Sequence, residues 1–175
     1  MRVLRCTQRV LDDLGMKAGE LTEPGAVEGV LKEWYVNLLR IERRKCLLFA
    51  EATTLYVFLV PGVVKKDLEN LPALFTQQLR VNLRRDGTPE TVVARVAGVE
   101  PFHLTKTRDR RVLGSMTDLT HHYRYHIASV GGLTASVGGL AHVDIQELNR
   151  RMNRTPMSML GMAYSIDAVR EQLME

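Results

Sequence analysis

The stretch from Trp34 to Pro61 leaves the chain the fewest choices. Three apolar runs lie close together, W-Y-V-N-L-L-R-I (Trp34 to Ile41), K-C-L-L-F-A (Lys45 to Ala50) and T-L-Y-V-F-L-V (Thr54 to Val60), separated only by Glu42-Arg43-Arg44-Lys45 and Glu51-Ala52-Thr53. Their β-branched and aromatic content and their shortness read as a strand meander. Because they are apolar almost continuously, both faces of the sheet are expected to be covered. Pro61-Gly62 ends the third run, since proline cannot donate to a ladder.

The remaining segments supply the cover. Arg2 to Cys6 reads as a short strand and Gln8 to Leu14 as a helix capped by Thr7, after which Lys17 to Gly29 has the glycine, proline and glutamate content of an exposed loop. From Lys65 the period becomes helical. Leu68, Leu71, Phe75, Leu79 and Leu83 share a face, and Pro72 splits the segment into a short helix and a longer one starting near Leu71. A short helix over Thr91 to Val99, a strand over Phe102 to Lys106 and a long helix starting at Ser115 follow, the last with Met116, Leu119, Tyr123, Ile127 and Val130 inward and Asp118 completing a capping box. A-S-V-G-G-L occurs at Ala128 and again at Ala135, which marks residues 128–142 as a glycine-rich loop. Residues 144–175 read as a helical tail, with capping patterns at Asp144/Glu147 and Ser165.

With 175 residues, 45% of them hydrophobic, the chain has enough apolar material for one core. The expectation is a single α+β domain over residues 1–175, a mostly antiparallel sheet with a central three-strand meander and helices packed on it. The runner-up is a meander domain with a separate helical piece from Asp144. Cys6 and Cys46 lie in apolar runs without metal-ligand or C-x-x-C spacing, so reduced thiols and a cytoplasmic setting are expected. No run approaches the ~20 apolar residues of a membrane span, and the start, M-R-V-L-R-C-T, is not that of a signal peptide.

Several motifs run together: R-C-T-x-x-x-L-x-x-L-G, W-x-x-N-L-L-x-I-x-R-R-K-C-L-L-F, T-K-T-x-x-R-x-V-L-G-S-M-x-D-L and N-R-x-x-N-R-x-P. In these the chain resembles an uncharacterised family of bacterial and archaeal proteins, a domain of unknown function. The resemblance implies a prokaryotic single-domain protein and no catalytic residues.

The net charge of +4 admits an acidic partner without demanding one. Lys106, Arg108, Arg110 and Arg111 precede the expected helix start at Ser115, where free N–H groups would favour a phosphate. Arg43 and Arg44, with Lys45, form a second cluster, and Arg150, Arg151 and Arg154 a third. A shared face would make them a stripe for a phosphate backbone, and scattered positions would make them solvating charges. The first reading is therefore an accessory protein contacting nucleic acid or another phosphate-bearing ligand.

Two alternatives stand beside it. One is a metal-independent phosphodiester hydrolase with His122 and Tyr125 as catalytic candidates beside Lys106 and Arg108. The other is a protein-interaction module or homodimer, using the methionine-rich segment Met152 to Met162 or an edge strand at Arg2 to Cys6. Neither metal nor cofactor is expected. Asp118, His122 and His126 spread over two helical turns and converge poorly on one ion.

Overall fold

In the computed structural model, which describes residues 1–131 and 139–174, Trp34–Pro61 forms the expected meander. β2 (Glu33–Ile41), β3 (Arg44–Glu51) and β4 (Val57–Pro61) pair antiparallel, Trp34 with Glu51 and Cys46 with Pro61 marking the registers. β2 turns into β3 through Glu42 and Arg43 alone, at φ 48° and 66°. That is the two-residue hairpin geometry glycine and asparagine usually occupy. Arg44 and Lys45 already belong to β3.

The sheet is mixed, not mostly antiparallel. β1 (Arg2–Cys6) runs parallel to β2 on one side and to β5 (Phe102–Lys106) on the other, giving the order β4-β3-β2-β1-β5. The meander is thus one half of the sheet, not its centre. The connection permits parallel pairing, since Thr7 to Lys32 is long enough for the crossover that parallel neighbours need. β1 consequently lies inside the sheet, and a contact through an edge at Arg2 to Cys6 is excluded.

Alternation along the strands sends apolar residues to both faces. On the first, Leu4, Trp34, Val36, Phe49 and Phe58 meet α1 (Gln8–Leu14), α2 (Lys65–Glu69), α3 (Leu71–Arg85), α4 (Glu90–Val96) and residues of the chain's last helix. Phe75 of α3 sits 5.0 Å edge-on to Trp34, and the Phe49 and Phe58 rings stack at 5.0 Å, so the aromatic residues of the meander are core. On the second face Tyr35, Leu39, Cys46, Leu48 and Leu59 meet α5 (Arg110–Gly131) and α6 (Ile145–Met152). Cys6 and Cys46 are buried and unpaired on opposite faces, and burial pushes the Cys6 thiol up to about 12.

Two helix starts differ from expectation. α5 begins at Arg110, where the Asp109 carboxylate accepts the Arg111 N–H at 2.8 Å, so Asp109 caps the helix. Ser115 lies buried inside it. Thr7 precedes α1, but its hydroxyl donates to Asn37 (3.0 Å) instead of capping, and Gly15 at φ 67° ends the helix. α5 also runs on to Gly131, into the segment read as loop; the rest of that segment up to residue 138 lies outside the described residues.

The tail is no separate piece. α6 places Leu148 and Met152 in the second core, while α7 (Ser165–Met174) places Ile166 and Val169 in the first. Between them a short ribbon, β6 (Pro156–Met157) with β7 (Ala163–Tyr164), turns the chain around the β4 edge. Met152 and Met157 are buried, and Met162 is exposed.

That edge is closed by two amides. Asn153 accepts the Val57 N–H and donates to the Val57 carbonyl, both at 2.8 Å, and Asn149 does the same for Leu59 at 2.9 and 3.3 Å. Four residues apart on one helical face, they stand in for a sixth strand. Asn149 is further held by Tyr123 and Asn82 at 2.7 and 3.0 Å, so a buried polar network is fully paired there.

Candidate functional site

Half of the basic residues around the start of α5 are spoken for. Arg5, fully buried on β1, donates its Nε to Glu33 and its Nη1 to Glu23 (3.2 Å) and to the Lys106 carbonyl (3.2 Å). Burial disfavours its charge, but the Glu33 and Glu23 carboxylates outweigh that and hold its pKa above the ordinary guanidinium range. Arg108 closes the same cluster at 3.2 Å from Glu33. Arg111 lies on Asp109 at 2.9 Å and, with its own backbone N–H, keeps that carboxyl below the usual range. Of the four, Lys106 and Arg110 have no carboxylate within ion-pair distance among the described residues.

The other clusters lie elsewhere. The Asp109 N–H reaches the Tyr35 hydroxyl at 3.0 Å, whereas the Arg124 guanidinium reaches the Arg40 carbonyl at 3.3 Å. α5 therefore runs from the end of β5 to the β2–β3 hairpin, and the helix between Arg110 and Arg124, which meets Arg40, sets that hairpin with Arg43 and Arg44 about 20 Å or more from Arg110. Arg150 and Arg154 sit on the α6 side, against Glu147 and Asp86. The three clusters are thus spread over the start of α5, the β2–β3 hairpin and α6, with Arg151 of the third near His126 of α5.

His122 and Tyr125 do not join Lys106 and Arg108. His122 lies about 18 Å along the helix axis from Arg110, too far to share one scissile phosphate. Tyr125 is exposed and packs edge-on against His126 at 5.7 Å. Burial, helped by Arg151 and His122, keeps the His126 imidazole below its ordinary pKa. Among the described residues, Asp118, His122 and His126 make no metal-binding group.

What the fold does bring together lies between α1 and α5. β1 and β5 are adjacent and parallel, yet β1 leads to α1 on the first face and β5 to α5 on the second. Open sheets hold ligands at such a divergence, outside the carboxyl ends of the strands. Past the end of β1, on its β2 side, a crevice of about 530 Å³ is lined by Thr7, Gln8, Arg9, Asn37, Thr117, His121 and Arg124. A second, of about 420 Å³, continues it past Asp12, Asp13, Leu38 and Arg40, with Arg9 and Arg124 common to both.

The slot is cationic. Arg9, Arg40 and Arg124 are exposed and have no carboxylate partner among the described residues. Of the nearby acids, Asp13 is paired with Lys45, while Asp12 accepts from the neutral Gln8 amide at 2.8 Å and keeps its charge, one carboxylate against three guanidiniums. Along α5, Arg110, Gly114, Thr117, His121 and Arg124 recur at spacings of four and three, one polar stripe beside the apolar one. That periodicity was open to view in the sequence. Arg9 and Arg40 were not, because only strand pairing puts them opposite that stripe.

The slot and fold define a class: an α+β protein with helices on both faces of a mixed sheet and a cationic crevice where the parallel strands end. The chain belongs to the family described as Domain of unknown function (DUF6933), whose model matches residues 3–168. No curated protein and no solved structure matches it.

Proposed function

We propose that this protein is a binding module without catalytic chemistry, which takes an anionic partner in the slot between α1 and α5. The observation that carries the reading is the convergence of Arg9, Arg40 and Arg124, unpaired among the described residues, on one open crevice. Unpaired guanidiniums facing each other across a cleft repel, and a carboxylate or phosphate relieves that repulsion while gaining forked hydrogen bonds. The buried free thiols of Cys6 and Cys46 suit a reducing, cytoplasmic setting.

A second reading, contact with a nucleic-acid backbone, draws on Lys106 and Arg110. They extend the cationic stripe to Arg124 over about 21 Å of helix axis.

Both readings meet in one experiment: affinity for labelled single-stranded RNA, DNA and acidic peptides at two salt concentrations, with Arg9→Glu/Arg124→Glu beside the unaltered protein. Binding is expected to weaken as salt rises and to fall at least tenfold in the double variant, while Arg43→Glu/Arg44→Glu changes it less than threefold. A nucleic-acid partner adds a slope of about 0.7 log units per log of salt for each phosphate contacted. Absence of binding to all three at low salt removes the proposal.

A further inference from the structure

β2 is nine residues long and its parallel neighbour β1 only five. Their register ends with Cys6 opposite Val36, and the last ladder bond is Thr7 N–H to the Val36 carbonyl at 2.9 Å. The chain then turns away, the Thr7 carbonyl accepting from Val10 and Leu11 at the start of α1. Even-numbered residues of β2 point their backbone groups toward β1, as that bond to Val36 fixes. Leu38 and Arg40 therefore face the place where β1 would have continued. Among the described residues the Leu38 N–H and carbonyl and the Arg40 N–H have no partner, and the Arg40 carbonyl has only the Arg124 side chain.

This length of open strand edge is the floor of the slot. α1 stands on one side with Arg9, Asp12 and Asp13, and α5 on the other with Thr117, His121 and Arg124. From Leu38 to Ile41 the edge is about 13 Å long, and a strand laid against it would sit about 4.8 Å away, in line with β1.

We infer that the slot takes an extended, acidic peptide segment, added to the sheet as a short strand along Leu38–Arg40. The inference rests on the anion-binding reading of the same slot and goes beyond it by naming the partner's chemistry. A strand edge offers donors and acceptors in alternation, and a peptide backbone answers both. Phosphates accept only, so a nucleic-acid backbone would match the two N–H groups and leave the Leu38 carbonyl facing negative charge. Side chains of an added strand point alternately to the two walls. On either wall they meet an arginine with no carboxylate partner among the described residues, Arg9 or Arg124, with Arg40 on the edge itself, and these three guanidiniums outnumber the charged Asp12 on the α1 wall, which selects acidic residues.

The test is an array of labelled octapeptides with Asp or Glu at alternate positions and β-branched residues between. For the best binder, N-methylation is then scanned along the backbone. Strand addition predicts at least tenfold weaker binding when methyl groups fall on the residues of one parity, those whose N–H groups face β2. Methylation of the other parity is tolerated. The Leu38 and Arg40 amides gain hydrogen-exchange protection on peptide addition, and Arg9→Glu/Arg124→Glu, exposed positions whose folding is checked by the unaltered unfolding midpoint, abolishes both effects.

Binding that depends on the arginines but is indifferent to methylation overturns the inference and leaves the anion-binding reading standing. The same holds if RNA binds through the slot and no peptide does. Self-association at rising concentration that the double variant abolishes identifies a second copy as the occupant and overturns the peptide. No slot-dependent binding of peptide or nucleic acid defeats both.

Discussion

Glu42 and Arg43 are the one consecutive pair of non-glycine residues at positive φ among the described residues. A side chain in the left-handed region costs roughly 1 kcal/mol, and the β2–β3 turn holds two such residues in succession. Arg43→Gly relieves one of them, so stability should rise by about 0.5–1 kcal/mol despite the greater freedom of glycine in the unfolded chain, read as a higher urea midpoint at unchanged slope. A fall in the midpoint would mean that Arg43 makes a stabilising interaction that outweighs its strain. At this scale the sequence was legible where burial is dictated by residue type, as for Cys6, Cys46, Tyr35, Tyr56 and Phe58. It was opaque where a role depends on a distant neighbour. Arg108 reads as a free cation until Glu33, at the start of β2, is seen beside it.

Among the elements, α6 does the work of a strand. The two amides of Asn149 and Asn153 satisfy both backbone groups of Val57 and of Leu59, and four buried polar groups lose their partners if the side chains are cut back. Each lost pair costs about 1–3 kcal/mol, so Asn153→Ala should destabilise by about 2–4 kcal/mol and Asn149→Ala, with Tyr123 and Asn82 also stranded, by more. Both variants expose an unpaired strand edge, and concentration-dependent association in light scattering is the expected companion of the lower midpoint. Loss of stability below 1 kcal/mol in both would show that water replaces the amides. The spacing of these asparagines stood in the N-R-x-x-N-R-x-P motif, yet nothing local declares that they pair with a strand ninety residues earlier. Helix and strand existence was legible for the converse reason, since the meander, the break at Pro72 and the strand at Phe102 rest on local periodicity and proline chemistry. The start of α5 was misplaced because Asp109, its cap, sits among arginines that read as a solvated connection.

For the molecule as a whole, the mixed sheet creates the slot by letting a long strand outrun a short one, and a charge cluster pins the other end of β1. Arg2 is fully buried, 2.7 Å from Glu100, whose other oxygen takes Lys32 at 2.7 Å. Burial works to raise the Glu100 pKa, but Lys32 and Arg2, among its positive neighbours, outweigh it and the net shift is downward. A depressed carboxyl contributes stability that is full above its unfolded pKa and is lost as pH falls through the folded one. Glu100→Gln should cost about 3 kcal/mol at neutral pH, because it leaves the Arg2 charge buried without its carboxylate, and the gap from the unaltered protein should narrow below about pH 4. A gap constant down to pH 2 would rule the linkage out. The parallel arrangement behind both features was within reach of the sequence, since Thr7 to Lys32 is crossover length, but the slot was not, because it is a difference between two strand lengths and appears only once they are paired.

The amides that close β4 also fix an order of events during synthesis. Asn149 and Asn153 leave the ribosome some ninety residues after the strand they close. At about 5–20 residues per second, β4 waits roughly 5–20 s with its edge bare. For that interval each nascent chain can template its neighbours on a polysome, and a message truncated before codon 149 encodes a protein that never loses that ability.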